Sequence, residues 1–202
     1  MPLVAWVVMV VALVGAGWVA LAFNRLVRRR NRVDAGWAQI DAELQRRHDL
    51  VPSIVATVQS AADYERDVLE RTTAARAAAV AAGGAVADRA RAEGALTGAL
   101  RTLFAVEEAY PELTANANFL ALQAELATTE ERIAYARGYY NAAVAEYETS
   151  RTVFPSRVIA GAFGFGARPF FELEIGSGAP LNVDLSGRAP SDAPGGEPGA
   201  AE

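Results

Sequence analysis

Apolar residues open the chain as one unbroken run and then recur at helical intervals. Residues 3–23 contain no charged residue, and 21 residues of helix reach roughly 31 Å, which matches the hydrocarbon core of a bilayer. Further along, the apolar positions keep the spacing of one helical face: they are Val33, Trp37, Ile40, Leu44, Val51, Ile54 and Val58. The pattern predicts a transmembrane anchor over residues 1–23 that continues into a first amphipathic helix. Pro52 is expected to kink or restart that helix.

Three more helices follow from periodicity and from helix breakers. A second is predicted over Asp63–Ala82 and ends at Gly83-Gly84, and a third over Asp88–Tyr110 ends at Pro111. A fourth, capped by Thr114 or Asn116, continues to Phe154-Pro155. Its inward positions alternate at spacings of three and four: Phe119, Leu122, Leu126, Thr129, Ile133, Ala136, Tyr140, Ala143 and Tyr147.

These elements predict an all-α fold, in which residues 24–155 form an antiparallel four-helix up-and-down bundle. The alternative is three helices, with residues 63–110 continuous through the glycines. A Gly pair inside a helix costs roughly 2 kcal/mol relative to Ala, which favours the break. In the four-helix arrangement the last helix returns toward the membrane, whereas in the three-helix arrangement it ends at the far tip.

The C-terminal part of the chain loses helical periodicity. Residues 156–186 are expected to be an apolar, extended segment, with a short hairpin formed by 170–175 and 181–185. Residues 187–202 are rich in Pro, Gly, Ala and Asp and are interpreted as a disordered tail. Four phenylalanines of this segment form an apolar patch that either packs on the bundle or contacts the membrane or a partner: Phe163, Phe165, Phe170 and Phe171.

Charged and aromatic residues at the ends of the apolar run set the expected topology. The candidate membrane-interface residues are Trp6, Trp18, Arg25, Arg28, Arg29, Arg30 and Arg32. Arginines that directly follow a span are retained in the cytoplasm, which predicts an external N-terminus and a cytoplasmic body in a single-pass protein. A cleavable signal peptide is the alternative, because Ala20-Leu21-Ala22 offers small residues. The long apolar run and the absence of a preceding basic residue disfavour it.

The composition excludes several classes of function. Residues 33–202 contain 14 arginines and 24 acidic residues, a net charge of −10, so nucleic-acid binding is not expected. The chain has no Cys and one His, which removes disulfides and most metal sites. We identify no catalytic, cofactor-binding or metal-ligating residues, and we expect no cofactor and no enzymatic activity. His48 is interpreted as a hydrogen-bonding residue at the surface or at the edge of the seam.

Arg47 is unusual because it occupies a seam position of the first helix. A buried guanidinium is destabilising unless it is paired. We therefore expect acidic residues across the bundle to pair with Arg47 and with three other polar residues: Asn31, Arg137 and Tyr140. The candidate acidic partners are Asp41, Asp49, Glu125 and Glu130.

Several ordered motifs resemble a known family. They include Arg46-Arg47-His48-Asp49-Leu50-Val51-Pro52, Ala109-Tyr110-Pro111-Glu112-Leu113, Arg132-Ile133-Ala134-Tyr135-Ala136-Arg137 with Tyr140-Asn141, and Arg168-Pro169-Phe170-Phe171-Glu172. Over about residues 20–173 the chain is similar to LemA family proteins, with Gly36 at a position where Ala is expected. The resemblance implies a bacterial, membrane-anchored helical bundle located in the inner membrane, and it supplies no catalytic residue.

Two functions are compatible with these features. The first is a membrane-anchored scaffold or adaptor that contacts lipid through its N-terminal helix and binds a protein partner. The sequence is also compatible with a homo-oligomer. The second is an enzyme or lipid-handling protein that uses a groove of the bundle, which would require a closed apolar pocket with convergent polar groups.

Overall fold

The computed structural model describes residues 2–61, 66–106 and 110–173. Its elements are α1 (Pro2–Ala61), α2 (Arg66–Ala81), α3 (Val86–Val106), α4 (Pro111–Thr114), α5 (Ala117–Thr152) and α6 (Ser156–Ala162). The predicted all-α class is confirmed, and the described residues contain no strand. Residues 170–173 of the predicted hairpin have no regular structure. The rest of the hairpin and the tail 187–202 lie outside the described residues.

Helix α1 is a single element of 60 residues, about 90 Å long at 1.5 Å per residue. Side chains 3–21 are all exposed, and within the described part of the chain α1 is long and apolar enough to cross a membrane. From Leu26 onward one face of the same helix is buried. The predicted continuation of the apolar helix into the helical body is therefore confirmed.

Pro52 lies inside α1 without ending it, so the predicted restart is wrong. A proline lacks the N–H that would bond to the carbonyl four residues earlier, which here is the carbonyl of His48. Arg76 of α2 donates from Nε to that carbonyl oxygen at 2.6 Å. The hydrogen bond that the helix loses at Pro52 is thus replaced from a neighbouring helix.

Helices α1 and α5 pack against each other in opposite directions. Arg29 contacts Ser150 near one end of the pair, and Arg47 contacts Glu130 further along. Between them, a Cβ added to Gly36 would lie 3.2 Å from Tyr140 Cα. The absence of a side chain at Gly36, where Ala was expected, lets the two backbones approach closely.

The glycine pair separates α2 from α3, as the four-helix alternative requires. Gly84 has φ +94°, a conformation that favours glycine. Pro111 is the first residue of α4 and not simply a terminator of the third helix, because proline fits the first turn of a helix. Asn116, rather than Thr114, caps α5: its side chain accepts from the N–H groups of Asn118 (3.0 Å) and Phe119 (3.2 Å).

The buried residues form two apolar clusters with a polar layer between them. The predicted seam is confirmed, since its members on α1 and α5 are buried, with Trp37 and Leu122 partly so. On α1 the first cluster ends at Leu44 and the second begins at Val51. The layer between the clusters consists of buried polar residues: Arg47, His48, Glu93, Thr97 and Thr129.

The segment after α5 departs from the prediction, because residues 156–162 are helical and not extended. Ile159 and Ala160 of α6 are buried in the first cluster. Gly164, at φ +70°, then reverses the chain, and the Phe165 N–H donates to the Ala160 carbonyl at 2.9 Å. Residues 165–173, which we call the strap, lie against α1 and α5.

The replacement hydrogen bond at Pro52 gives a test by double substitution. We expect Arg76→Met to lower the free energy of unfolding by about 1–2 kcal/mol, because the His48 carbonyl loses its donor. In a Pro52→Ala background a backbone N–H supplies that donor, so the same replacement should have less than about half the effect. Chemical denaturation of the full chain in detergent measures both.

The matched control is Arg71→Met, which removes an exposed ion pair with Asp67 on the same helix. It should change stability by less than about 0.5 kcal/mol in either background. Equal losses for Arg76→Met with and without Pro52 would contradict the role assigned to Arg76.

Candidate functional site

Arg47 is the centre of the buried polar layer. Its side chain is 0% exposed and forms ion pairs with Glu93 of α3 and with Glu130 of α5, the latter at 2.9 Å. It also donates to Thr97 Oγ1 at 3.0 Å. One guanidinium therefore links three helices through charge-assisted hydrogen bonds, which are the strong kind.

His48, the only histidine in the sequence, joins the same cluster. It is 1% exposed, and its Nε2 lies 2.9 Å from Glu93 Oε1. An ionised carboxylate only accepts, so this contact places a proton on Nε2. Among the described residues neither His48 Nδ1 nor Arg47 Nε has a hydrogen-bond partner.

The environment of this cluster keeps Glu93 and Arg47 charged. Burial acts to raise the pKa of Glu93, but the hydrogen bond from His48 and the charge of Arg47 outweigh it, so the pKa lies below its ordinary value. Burial likewise acts to lower the pKa of Arg47, and the charges of Glu130 and Glu93 raise it overall. The cluster is therefore a stable arrangement of opposite charges.

The position of the cluster limits its chemistry. It lies between two apolar clusters, and the side chains of Arg47, His48 and Glu93 are at most 1% exposed. A general base must come within hydrogen-bond reach of a substrate proton, and these three side chains are closed to solvent in the described structure. What the arrangement does is fix the relative register of α1, α3 and α5.

Sequence reasoning found only part of this cluster. Glu130 was among the expected partners of Arg47, and the structure brings the two together. Glu93 was missed, although it extends the spacing of Leu96, Leu100 and Leu103 by one step and so occupies a seam position. Of the two locations expected for His48, the edge of the seam is correct and the surface is wrong, because Glu93 offers a buried acceptor that the local sequence does not reveal.

Two of the other acids expected to pair across the bundle, and two of the polar residues expected to pair with them, make different contacts. Asp41 pairs with Arg89, and Asp49 accepts from Gln45 Nε2 at 2.8 Å. Asn31 is exposed, and Tyr140 donates from its hydroxyl to the Pro169 carbonyl at 2.8 Å.

The four phenylalanines of the predicted patch divide into two pairs. Phe165 and Phe171 are buried, whereas Phe163 and Phe170 are exposed. Phe171 packs edge-on against Trp37, with ring centroids 5.5 Å apart. The interpretation that this segment packs on the bundle is therefore correct for half of the patch.

Polar side chains of α5 hold the strap through its backbone. Asn141 accepts from the Phe171 N–H at 2.9 Å and donates to its carbonyl at 3.2 Å. Tyr147 donates to the Gly166 carbonyl at 2.8 Å, and Glu148 accepts from the Arg168 N–H at 2.8 Å. These contacts satisfy backbone groups that have no place in a helix or sheet.

The candidate interface residues are spread along the first half of α1, with the arginines at the junction of the apolar run and the body. Trp6, Trp18, Arg25 and Arg28 are exposed. Arg32 pairs with Glu146 at 2.9 Å, Arg29 contacts Ser150 and donates to the Glu146 carbonyl at 2.5 Å, and Arg30 lies over the Phe165 ring at 5.7 Å. Part of the arginine cluster is thus used to hold α5 and the strap.

A groove of about 600 Å³ lies between α1 and α2 at the far end of the body. Its lining mixes apolar side chains with exposed polar and charged ones: Val55, Gln59, Arg66, Leu69, Glu70, Thr73, Ala74 and Ala77. The polar cluster around Arg47 contributes no residue to this lining. The groove is therefore separate from that cluster, and its own polar side chains are Gln59, Arg66, Glu70 and Thr73.

Fold and site together define a class: an all-helical chain with an apolar N-terminal helix, a buried charge cluster and a strap fixed by backbone hydrogen bonds. A sequence model of the LemA family matches residues 36–184. The match spans 149 of the 202 residues, and the chain belongs to the LemA family. Comparison with curated proteins finds no match.

Removing Arg47 should be strongly destabilising. Arg47→Leu leaves the Glu93 carboxylate buried with only His48 as partner, so we expect a loss of about 3–5 kcal/mol in the free energy of unfolding. Arg46→Leu, at the exposed neighbouring position, is the control and should stay within about 0.5 kcal/mol. Denaturation of both full-length variants in detergent measures the difference, and an unchanged stability of Arg47→Leu would contradict the assignment.

The lowered pKa of Glu93 predicts a pH dependence. Its contribution to stability is fully present above the unfolded pKa of about 4.3 and is lost as the pH falls through the lower folded value. Glu93→Gln removes this contribution, so its free energy of unfolding should decline less steeply than that of the wild type below about pH 4.3. Glu131→Gln, which removes a carboxylate at an exposed position outside the cluster, is the control variant. If the free energy of unfolding fell equally steeply with decreasing pH in Glu93→Gln and in the wild type, the prediction would be contradicted.

Proposed function

We propose that this LemA family protein is a non-enzymatic, membrane-anchored scaffold that holds a rigid helical body at the bilayer surface. The observation that carries the proposal is the continuity of α1, whose first part is exposed and apolar and whose second part forms the core seam. A helix shared in this way transmits the orientation of the anchor to the body. A flexible linker would not.

The body is proposed to be an antiparallel four-helix up-and-down bundle of α1, α2, α3 and α5. Opposed contacts support it: Arg76 of α2 reaches back to His48 of α1, and Ser150 near the end of α5 contacts Arg29. In this arrangement the last long helix returns to the anchor. The far end of the body, which includes the groove between α1 and α2, then faces away from the membrane.

The body is proposed to lie in the cytoplasm of a bacterial cell, with the N-terminus outside the inner membrane. Support comes from the five arginines within residues 25–32, which follow the apolar run. The acidic remainder, with its net charge of −10 over residues 33–202, would repel nucleic acid. Its expected partner is another protein, which the part of the body farthest from the bilayer is free to meet.

Proximity labelling tests both the scaffold and its orientation. A promiscuous biotin ligase fused to the C-terminus should label itself, because it needs the ATP of the cytoplasm, and should enrich recurrent protein neighbours. The control carries the ligase directly after residue 32, so that it has the anchor and the arginines but no body. If no neighbour were enriched over this control, the scaffold would be contradicted, and a fusion that never labels itself would contradict the orientation.

A further inference from the structure

A group of exposed apolar side chains surrounds α6 at the junction of anchor and body. We call it the base surface, and it consists of Val153, Phe154, Val158 and Phe163. Their exposed fractions are 53%, 78%, 64% and 57%. Four large apolar side chains exposed within eleven residues are unusual for a surface that faces water only.

The base surface lies at the level where the apolar run of α1 ends. The Phe163 ring is 5.0 Å from the ring of Phe23, edge to face, and Phe23 is the last residue before Asn24 and the arginines. On the opposite side of α6, Ile159 and Ala160 pack into the cluster that contains Leu26. Contact with both Phe23 and the Leu26 cluster fixes α6 at the boundary between anchor and body.

The outward face of α6 lacks the polarity of an ordinary water-exposed helix. Of the exposed residues on α6, only Arg157 is charged, and the others are Val158, Gly161 and Ala162. An amphipathic element with one face in the core should present polar residues on the other. The outward face of α6 instead extends the apolar surface of the anchor.

The charges around the base surface are predominantly positive. Arg157 is exposed on α6 itself, and Arg25 and Arg28 are exposed on α1 within two turns of Phe23. The nearby acids are already engaged, since Glu146 pairs with Arg32 and Glu148 pairs with Arg151. An apolar surface bordered by exposed arginines is complementary to the headgroup region of a bilayer that contains anionic phospholipid.

We propose that the base surface inserts into the headgroup region of an anionic bilayer beside the anchor, as a second membrane contact of the same chain. The proposal rests on the membrane anchoring of α1 proposed above. A second copy of the chain is the competing occupant, but a symmetric contact through this surface would bring Arg157 close to Arg157 of the other copy. The continuity of the base surface with the apolar run of α1 also favours lipid.

The absence of cysteine from the chain allows a test with single labelled positions. The full chain is reconstituted into vesicles of equal parts phosphatidylcholine and phosphatidylglycerol, at low protein density. A polarity-sensitive fluorophore is attached at Phe154→Cys or Val158→Cys. The matched control is Tyr135→Cys, exposed to 71% on α5, and Leu13→Cys reports on the anchor. Helicity by circular dichroism shows that each variant is folded.

The proposal predicts that emission at Phe154 and Val158 shifts to the blue and that lipids with a shallow nitroxide quench it at least about twofold more than at Tyr135. Leu13 should be quenched by a nitroxide deep in the acyl chain. Quenching at Leu13 without quenching at Phe154 and Val158 would overturn the inference and leave the anchor intact. Absence of quenching at Leu13 would instead refute the anchoring itself, and the inference with it.

Two further results would also overturn the inference. A blue shift at Phe154 and Val158 without lipid quenching would mean that a second copy covers the base surface. Equal quenching at Tyr135 would mean that the body collapses onto the vesicle without a specific contact. Repeating the measurement in phosphatidylcholine alone tests the role of the arginines, since the quenching at Val158 should weaken without anionic lipid, and undiminished quenching would contradict their part in the proposal.

Discussion

The architecture depends on α1 remaining one helix, although residues 3–21 are exposed and one face of the helix is buried from Leu26 onward. A helix satisfies its own backbone hydrogen bonds, so the same backbone serves both the exposed apolar run and the buried seam. Only the side chains differ between the two parts, and the change from one part to the other takes place at the arginines that follow Asn24. Some of them bind the body, as Arg29 does at Ser150 and the Glu146 carbonyl. The direction in which the body leaves the exposed apolar run is therefore set by packing.

The polar layer around Arg47 gives the body a fixed register. On each of three helices it lies between apolar residues of the two clusters: Leu44 and Val51 on α1, Ala90 and Leu96 on α3, and Leu126 and Ile133 on α5. A shift of one helix by a turn, about 5.4 Å, would place a buried charge against apolar side chains. The opposed charges therefore stabilise one alignment and penalise the others.

Sequence periodicity predicted the helices well because helix formation depends on residues close together in the sequence and on apolar residues that share one helical face. The seam of α1, the break at the glycine pair and the cap at Asn116 all depend on residues a few positions apart. The strap could not be predicted in the same way. Its backbone groups bond to side chains of α5 such as Asn141, 30 positions away, and no periodicity marks such contacts. The continuity of α1 at Pro52 likewise depends on Arg76, which belongs to another helix.

The candidate site was likewise predictable from the sequence only in part. Arg47 was recognisable because a charge interrupts an apolar pattern, and Glu130 because it is an acid beside the seam of α5. Glu93 carried the same signal one step before the leucines of the α3 seam and was overlooked, and His48 was hidden among charged neighbours. Burial of a polar residue is decided by what faces it. The facing residue is visible only once the helices are brought together.

The central claim, that anchor and body share one rigid helix, is tested most directly by a distance along α1. Spin labels at Val14→Cys and Ala42→Cys, both exposed positions, are 28 residues apart and differ in direction by about 80° around an ideal helix, so their separation is mainly along the axis. Pulsed electron paramagnetic resonance of the full chain in vesicles should give one narrow distribution centred near roughly 42 Å. A broad distribution with a shorter mean would show a hinge between anchor and body and would contradict the account.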